Sequence, residues 1–213
     1  MIRGVVFDLD GVIADTEPLH WSASRDVLHE CGVDIDLDEY RRHWIARGGG
    51  WERACEVYAL PLDVDALRAR KGARYRALLA ERVTARPGAA EALARLRSTH
   101  RLALATNTVR DEAAFILGRL GVTALFDAII AREDYVHAKP APDAYLAAAA
   151  VLGLAPADCA VVEDTQRGVQ AGVAAGARVV AVPNELTLDN DFTGAARRLR
   201  TLDELTPELL AGL

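Results

Sequence analysis

Cysteine is scarce in this chain. Cys31, Cys55 and Cys159 are odd in number, far apart and without metal-ligand spacing. They form neither a disulfide framework nor a zinc motif, and read as reduced, mostly buried thiols of a cytoplasmic protein. Long apolar runs are also missing. No stretch is long enough to span a membrane, and no charged segment with an apolar signal core precedes the first strand-like run. Excess positive charge is lacking: the net charge of -6 argues against a nucleic-acid partner, which calls for a basic stripe. Low-complexity tracts and internal repeats are absent. Lysine is nearly so, since the 25 basic residues include only Lys71 and Lys139. Where arginine is the default cation, a lysine marks a place for a compact ammonium, and this points to Lys139.

What is present suits an ordinary globular protein. The 213 residues, 51% hydrophobic and 26% charged, suffice for one large domain or two small ones. Five strand-like runs stand out: Val5-Val6-Phe7, Leu102–Ala105, Ala128–Ile130, Ala160–Val162 and Val179–Val182. Helical stretches opening near Pro87, Arg110, Pro142 and Gly168 each precede one of the last four, and three of them stop at Gly121, Gly153 and Gly176. Such alternation predicts an α/β fold with a parallel sheet covered on both faces. Residues 16–86 break the pattern and read as helices only, over about 18–31, 37–46, 51–59 and 63–82. Trp21, Trp44 and Trp51 all fall there and read first as the core of a small helical unit.

Ligands of an open parallel sheet bind beyond the carboxyl ends of its strands. The first strand ends in Asp8-Leu9-Asp10-Gly11, so alternate carboxylates face one site while Gly11 turns the chain away. The second ends in Thr106-Asn107-Thr108, the third is followed by Lys139-Pro140, and the fourth ends in Glu163-Asp164. Four carboxylates against one ammonium repel one another by roughly 4 kcal/mol per neighbouring pair at an effective dielectric near 20. Such a site calls for a cation, and all-oxygen donors indicate a hard one, Mg²⁺. A metal, a lysine and a threonine around a carboxylate make a receptor for a phosphoryl group.

These residues resemble the haloacid dehalogenase-like hydrolase superfamily, in its phosphatase and β-phosphoglucomutase-like branch. The matching pieces are residues 7–12, 15–20, 106–107, 139–143 and 163–169, spread over essentially the whole chain. The resemblance implies a Rossmann-like parallel sheet ordered 5-4-1-2-3, formed by residues 1–15 and 87–213, with an inserted helical cap over 16–86. Hinges are expected near Asp15–Thr16 and Arg86–Pro87. It implies that Asp8 is the nucleophile and Asp10 the general acid and base. Thr106, Lys139 and the Asn107 backbone would bind phosphate. Asp8, the Asp10 carbonyl, Glu163 and Asp164 would hold Mg²⁺. A cis Lys139–Pro140 bond is also implied.

The expected reaction is hydrolysis of a small phosphorylated metabolite by a monomer or, at most, a weak dimer. The alternative is a phosphosugar mutase, which needs a cap arginine for a second phosphate. Aligned at Gly48, Trp51 stands where that arginine would be, with Arg47, Arg70 and Lys71 as substitutes. A phosphonate hydrolase needs a cap Schiff-base lysine, for which Lys71 is the candidate. A non-catalytic phosphate-binding protein would not need Asp8, Asp10 and Lys139 together. His20, at the start of the first cap helix, is a further candidate, expected to face the cleft and help couple the position of the leaving group to cap closure.

Overall fold

A computed structural model describes residues 1–46, 50–60 and 63–213. The chain divides into two compact units, Met1–Asp15 with Thr84–Leu213, and Thr16–Val83. Among the described residues no helix is long and apolar enough to cross a membrane.

The first unit is built on strands β1 (Gly4–Phe7), β2 (Arg101–Ala105), β3 (Ala128–Ile130), β4 (Cys159–Glu163), β5 (Arg178–Ala181) and β6 (Arg197–Arg198). Their order is β3-β2-β1-β4-β5-β6, and every pairing is parallel. The expected 5-4-1-2-3 order is contained in it. The added strand, β6, is two exposed arginines that pair with Val180 and Ala181, and it carries no apolar signal in sequence. The central strand β1 is buried along its whole length, as a parallel strand covered on both faces must be. Register does the positioning: Phe7 is level with Leu104 on one side and Val162 on the other. Residues 8, 105–106 and 163–164 therefore leave the sheet together at one edge.

Helices α5 (Ala89–Arg97), α6 (Arg110–Leu120), α7 (Asp143–Val151) and α8 (Gln166–Ala174) follow the predicted alternation, and α9 (Pro207–Ala211) closes the chain. Ala144, Tyr145 and Ala148 of α7 and Val169 and Ala171 of α8 pack on Val6, Ala103, Val161 and Val179, the alternate residues of one sheet face. The small alanines let the helices approach closely, and burial of each valine contributes about 1.5–3 kcal/mol. The Lys139–Pro140 bond is cis, as the resemblance implies.

The second unit contains α1 (Glu17–Glu30), α2 (Leu37–Tyr40), α3 (Gly50–Tyr58) and α4 (Val64–Arg82). The single helix expected over 37–46 is instead α2 followed by a π-helical segment, Arg41–Ala46. Asp36 and Asp63 cap α2 and α4, accepting from Glu39 N (2.7 Å) and Ala66 N (2.8 Å). Val27, Leu28, Tyr40, Trp51 and Leu67 form its own hydrophobic cluster, with Trp21 and Trp44 packed against it. This is the core reading of the tryptophans.

Residues 84–86 belong with the first unit rather than with the insert. Asp15 N donates to Thr84 O, and Arg86 N to Ile13 O, both at 2.9 Å. The Arg86 guanidinium meets Asp15 at 3.2 Å. The return crossing thus lies between Val83 and Thr84, ahead of the Arg86–Pro87 link.

Candidate active site

The site assembles at the carboxyl edge of the sheet, entirely within the first unit. Asp8 continues β1, and its backbone N–H still donates to Val162 O at 3.0 Å, so its position is set by the sheet. Lys139 reaches in from the loop after β3. Its Nζ lies 2.5 Å from Asp8 Oδ1, 2.7 Å from Glu163 Oε1 and 2.9 Å from Ala105 O. The three donors of the ammonium are thus matched to three acceptors. Its aliphatic stem is also enclosed, leaving the residue 4% exposed, so the ion pair is shielded from solvent. Burial alone would lower the Lys139 pKa, but Asp8 and Glu163 outweigh it and hold the ammonium above its ordinary range.

Glu163 is the hub behind this pair. Its Oε1 accepts from Lys139 and from Tyr145 OH (2.6 Å). Its Oε2 accepts from Asp164 N (3.1 Å), Thr165 N (3.3 Å) and Thr165 Oγ1 (3.1 Å). The Lys139 Nζ also sits 4.6 Å from the Tyr145 ring centroid. Burial, with Glu163 adding, pushes the Tyr145 phenol well up, so it remains a proton donor to Glu163. Gly168 makes the arrangement possible, because a Cβ there would lie 1.8 Å from Glu163 Cδ.

Asp164 is fully buried, and its Oδ2 accepts from Asn184 Nδ2 at 2.6 Å. Gly11, at φ +78°, passes so close that a Cβ would stand 2.2 Å from Asp164 Oδ2. Asp8, Glu163 and Asp164 each offer an oxygen within 4.8 Å of the others, an all-oxygen cluster of the kind that holds a hard divalent cation. Burial, reinforced by Glu163 and Asp10 against the opposing pull of Lys139, disfavours the charge on the Asp8 carboxyl and raises its pKa. That is the electrostatic deficit a divalent cation would correct, so the residues present fit the ion.

Asp10 stands apart from this cluster. Its Oδ2 accepts from Thr108 Oγ1 at 2.6 Å and, at the limit of a hydrogen bond, from Thr106 Oγ1 at 3.5 Å. Asn107 Oδ1 accepts from Tyr135 OH (2.7 Å) and Lys139 N (3.2 Å), so its side chain ties the β2 loop to the lysine loop. Arg167 adds a second tie, donating to Lys139 O at 2.6 Å.

Seven expected residues are therefore brought to one edge: Asp8, Asp10, Thr106, Asn107, Lys139, Glu163 and Asp164. The insert candidates fare differently. Trp51 is buried in the insert's cluster, edge-on to Trp44 at 4.9 Å. Arg47 lies outside the described residues. Within the insert, Lys71 Nζ meets His20 Nδ1 at 2.5 Å, and Tyr75 stacks on His20 at 3.9 Å. Sequence reasoning missed Thr108, Tyr145, Arg167, Gly168 and Asn184. Thr108 had a nearby signal, as the third residue of Thr106-Asn107-Thr108, and Arg167 and Gly168 lie inside the quoted stretch 163–169.

A parallel sheet with a buried acid–lysine pair at its carboxyl edge defines an α/β enzyme scaffold with a polar, cation-ready site. The chain belongs to the haloacid dehalogenase-like hydrolase family, whose model matches residues 2–176. Fructose-1-phosphate phosphatase YqaB of Escherichia coli is 35% identical over 84% of this chain and 95% of its own. Beta-phosphoglucomutase of Bacillus subtilis is 31% identical over 98% of this chain and 94% of its own. The crystal structure of CbbY from Rhodobacter sphaeroides in complex with phosphate superposes with a TM-score of 0.82 at 31% identity, covering both chains completely.

Proposed function

We propose that this protein is a Mg²⁺-dependent phosphatase acting on a small phosphate monoester, a sugar phosphate or similar metabolite, through an aspartyl phosphate on Asp8. The observation that carries the reading is the buried Lys139 ammonium clamped between Asp8 and Glu163 at the end of the central strand. Lys139 holds Asp8 Oδ1 and so orients the second carboxylate oxygen toward phosphorus. That oxygen forms the new P–O bond while the bond to the leaving oxygen breaks. Asp10 gives its proton to the leaving oxygen, then takes one from the water that attacks phosphorus, which breaks the P–O bond to Asp8, releases inorganic phosphate and restores the Asp8 carboxylate. Thr106 and Lys139 steady the phosphoryl oxygens. When bound by Asp8, Asp164 and the Asp10 carbonyl, with Glu163 adding its charge, Mg²⁺ would neutralise the cluster and polarise a phosphoryl oxygen.

The similarity to fructose-1-phosphate phosphatase supports a phosphosugar substrate. The likeness to beta-phosphoglucomutase supports a second reading, a phosphosugar mutase. The burial of Trp51, in the place of the mutases' cap arginine, favours the phosphatase. Free thiols at all three cysteines suit a cytoplasmic enzyme.

The test is a panel of phosphorylated sugars, glycolate and nucleotides with Mg²⁺, assayed for both free phosphate and isomerised product. Free phosphate without isomer is the expected outcome. Stoichiometric isomer would establish the mutase, and neither product from any substrate would reject the enzyme reading. His20 and Lys71, which meet within the insert, stay as candidate substrate residues, and their substitution to alanine would test this as a change in substrate preference.

A further inference from the structure

We infer that Thr108 is the residue that positions Asp10 for proton transfer. The inference rests on the acid–base role of Asp10 proposed above and extends it to a side chain outside the expected site. Asp10 has to be an acid in one half of the reaction and a base in the other. A lysine or backbone N–H beside it could only donate, and would favour the ionised form alone. A hydroxyl donates to a carboxylate and accepts from a carboxylic acid, so it can stay bonded through both states. Thr108 Oγ1 occupies that place, 2.6 Å from Asp10 Oδ2.

Its backbone is held on both sides. Thr108 N donates to Thr106 Oγ1 at 3.0 Å, and Thr108 O accepts from Arg132 N at 3.0 Å. The threonine is thus fixed before substrate arrives, a condition for orienting a proton donor without reorganisation. Thr106, at 3.5 Å from the same oxygen, is the weaker partner and remains available to phosphate.

The experiment compares Thr108→Val and Thr108→Ser with the parent chain on two substrates. One is a sugar phosphate turned over by the parent, whose alkoxide leaving group needs a proton. The other is p-nitrophenyl phosphate, whose leaving group does not. The measured quantity is kcat/KM, which covers the steps up to phosphoryl transfer to Asp8. Thr108→Val should lose about tenfold or more on the sugar phosphate, the loss of one hydrogen bond to a charged group. It should change less than about threefold on p-nitrophenyl phosphate, and Thr108→Ser should recover most of the loss. Thr108→Ala replaces the valine variant if the latter melts early.

Equal losses on both substrates, or none on either, would overturn the inference. An Asp10→Asn control separates the two levels of argument. If that variant loses no more on the sugar phosphate than on the aryl phosphate, the Asp10 role itself fails. If it does discriminate and Thr108→Val does not, only the role of Thr108 fails.

Discussion

Gly168→Ala sets two physical effects against each other. Gly168 lies inside α8, where replacing glycine by alanine ordinarily stabilises a helix by about 1 kcal/mol. Here the new Cβ would sit 1.8 Å from Glu163 Cδ, about half of an ordinary carbon–carbon contact distance. The carboxylate must move, and it accepts from Lys139, Tyr145, Asp164 N and both donors of Thr165. Separating a buried ion pair costs roughly 3–5 kcal/mol. The clash therefore wins, with a net loss of about 2–4 kcal/mol after the helix gain. At about 2–4 °C per kcal/mol for a chain of this size, Tm should fall by about 5–15 °C. Gly118→Ala in α6 is the matched control, because its Cβ would meet nothing within 4 Å. It should raise stability by about 0.4–1 kcal/mol. Thermal and urea denaturation of the pair reads the sign directly. A Gly168→Ala protein as stable as the parent would refute the claim that Glu163 is locked in place by the close approach of α8. The same variant should also lose phosphatase activity, since Lys139 is held through Glu163.

Three further outcomes are expected. Asp8→Asn should retain the folded circular dichroism spectrum and lose steady-state turnover, because an amide cannot form the acyl phosphate; appreciable hydrolysis by the folded variant would count against Asp8 as nucleophile. EDTA should abolish activity, Mg²⁺ restore it and excess Ca²⁺ inhibit, because Ca²⁺ prefers more ligands and longer bonds; full activity in Ca²⁺ alone would contradict the proposed site. Burial pushes the Cys159 thiol up to about 11, so in the native protein at pH 8 only about a thousandth is thiolate and iodoacetamide should label it far more slowly than after unfolding. Because that pKa is raised above the value of 9.0 expected when unfolded, the contribution of Cys159 to stability is full below about pH 9 and declines toward pH 11, which denaturation in alkaline buffers would show.

Much of this molecule can be read from its chain because its chemistry sits where strands end. The run Val5-Val6-Phe7 announces a buried strand, and the two acids after it have no packing role there. Lysine is so rare that Lys139 stands out in the sequence alone. What could not be read depends on distance through space. Asn184 meets Asp164 across two elements, and Tyr145 meets Glu163 from a helix whose own periodicity marks it only as core. Gly168 looks like a flaw in a helix until the Glu163 carboxylate is seen beneath it. The change from α to π winding at Arg41 and the two-arginine strand β6 leave no apolar pattern to detect.

The run Thr106-Asn107-Thr108 shows where the limit falls. The sequence places a hydroxyl at the end of β2, but two are present, and which one meets Asp10 is decided by the turn. Thr106 Oγ1 accepts the N–H of Thr108, which folds the chain back on itself at 3.0 Å. That turn brings the Thr108 hydroxyl to 2.6 Å from Asp10 and leaves the Thr106 hydroxyl at 3.5 Å. The residue expected to bind phosphate thus also builds the turn that presents its neighbour to the acid.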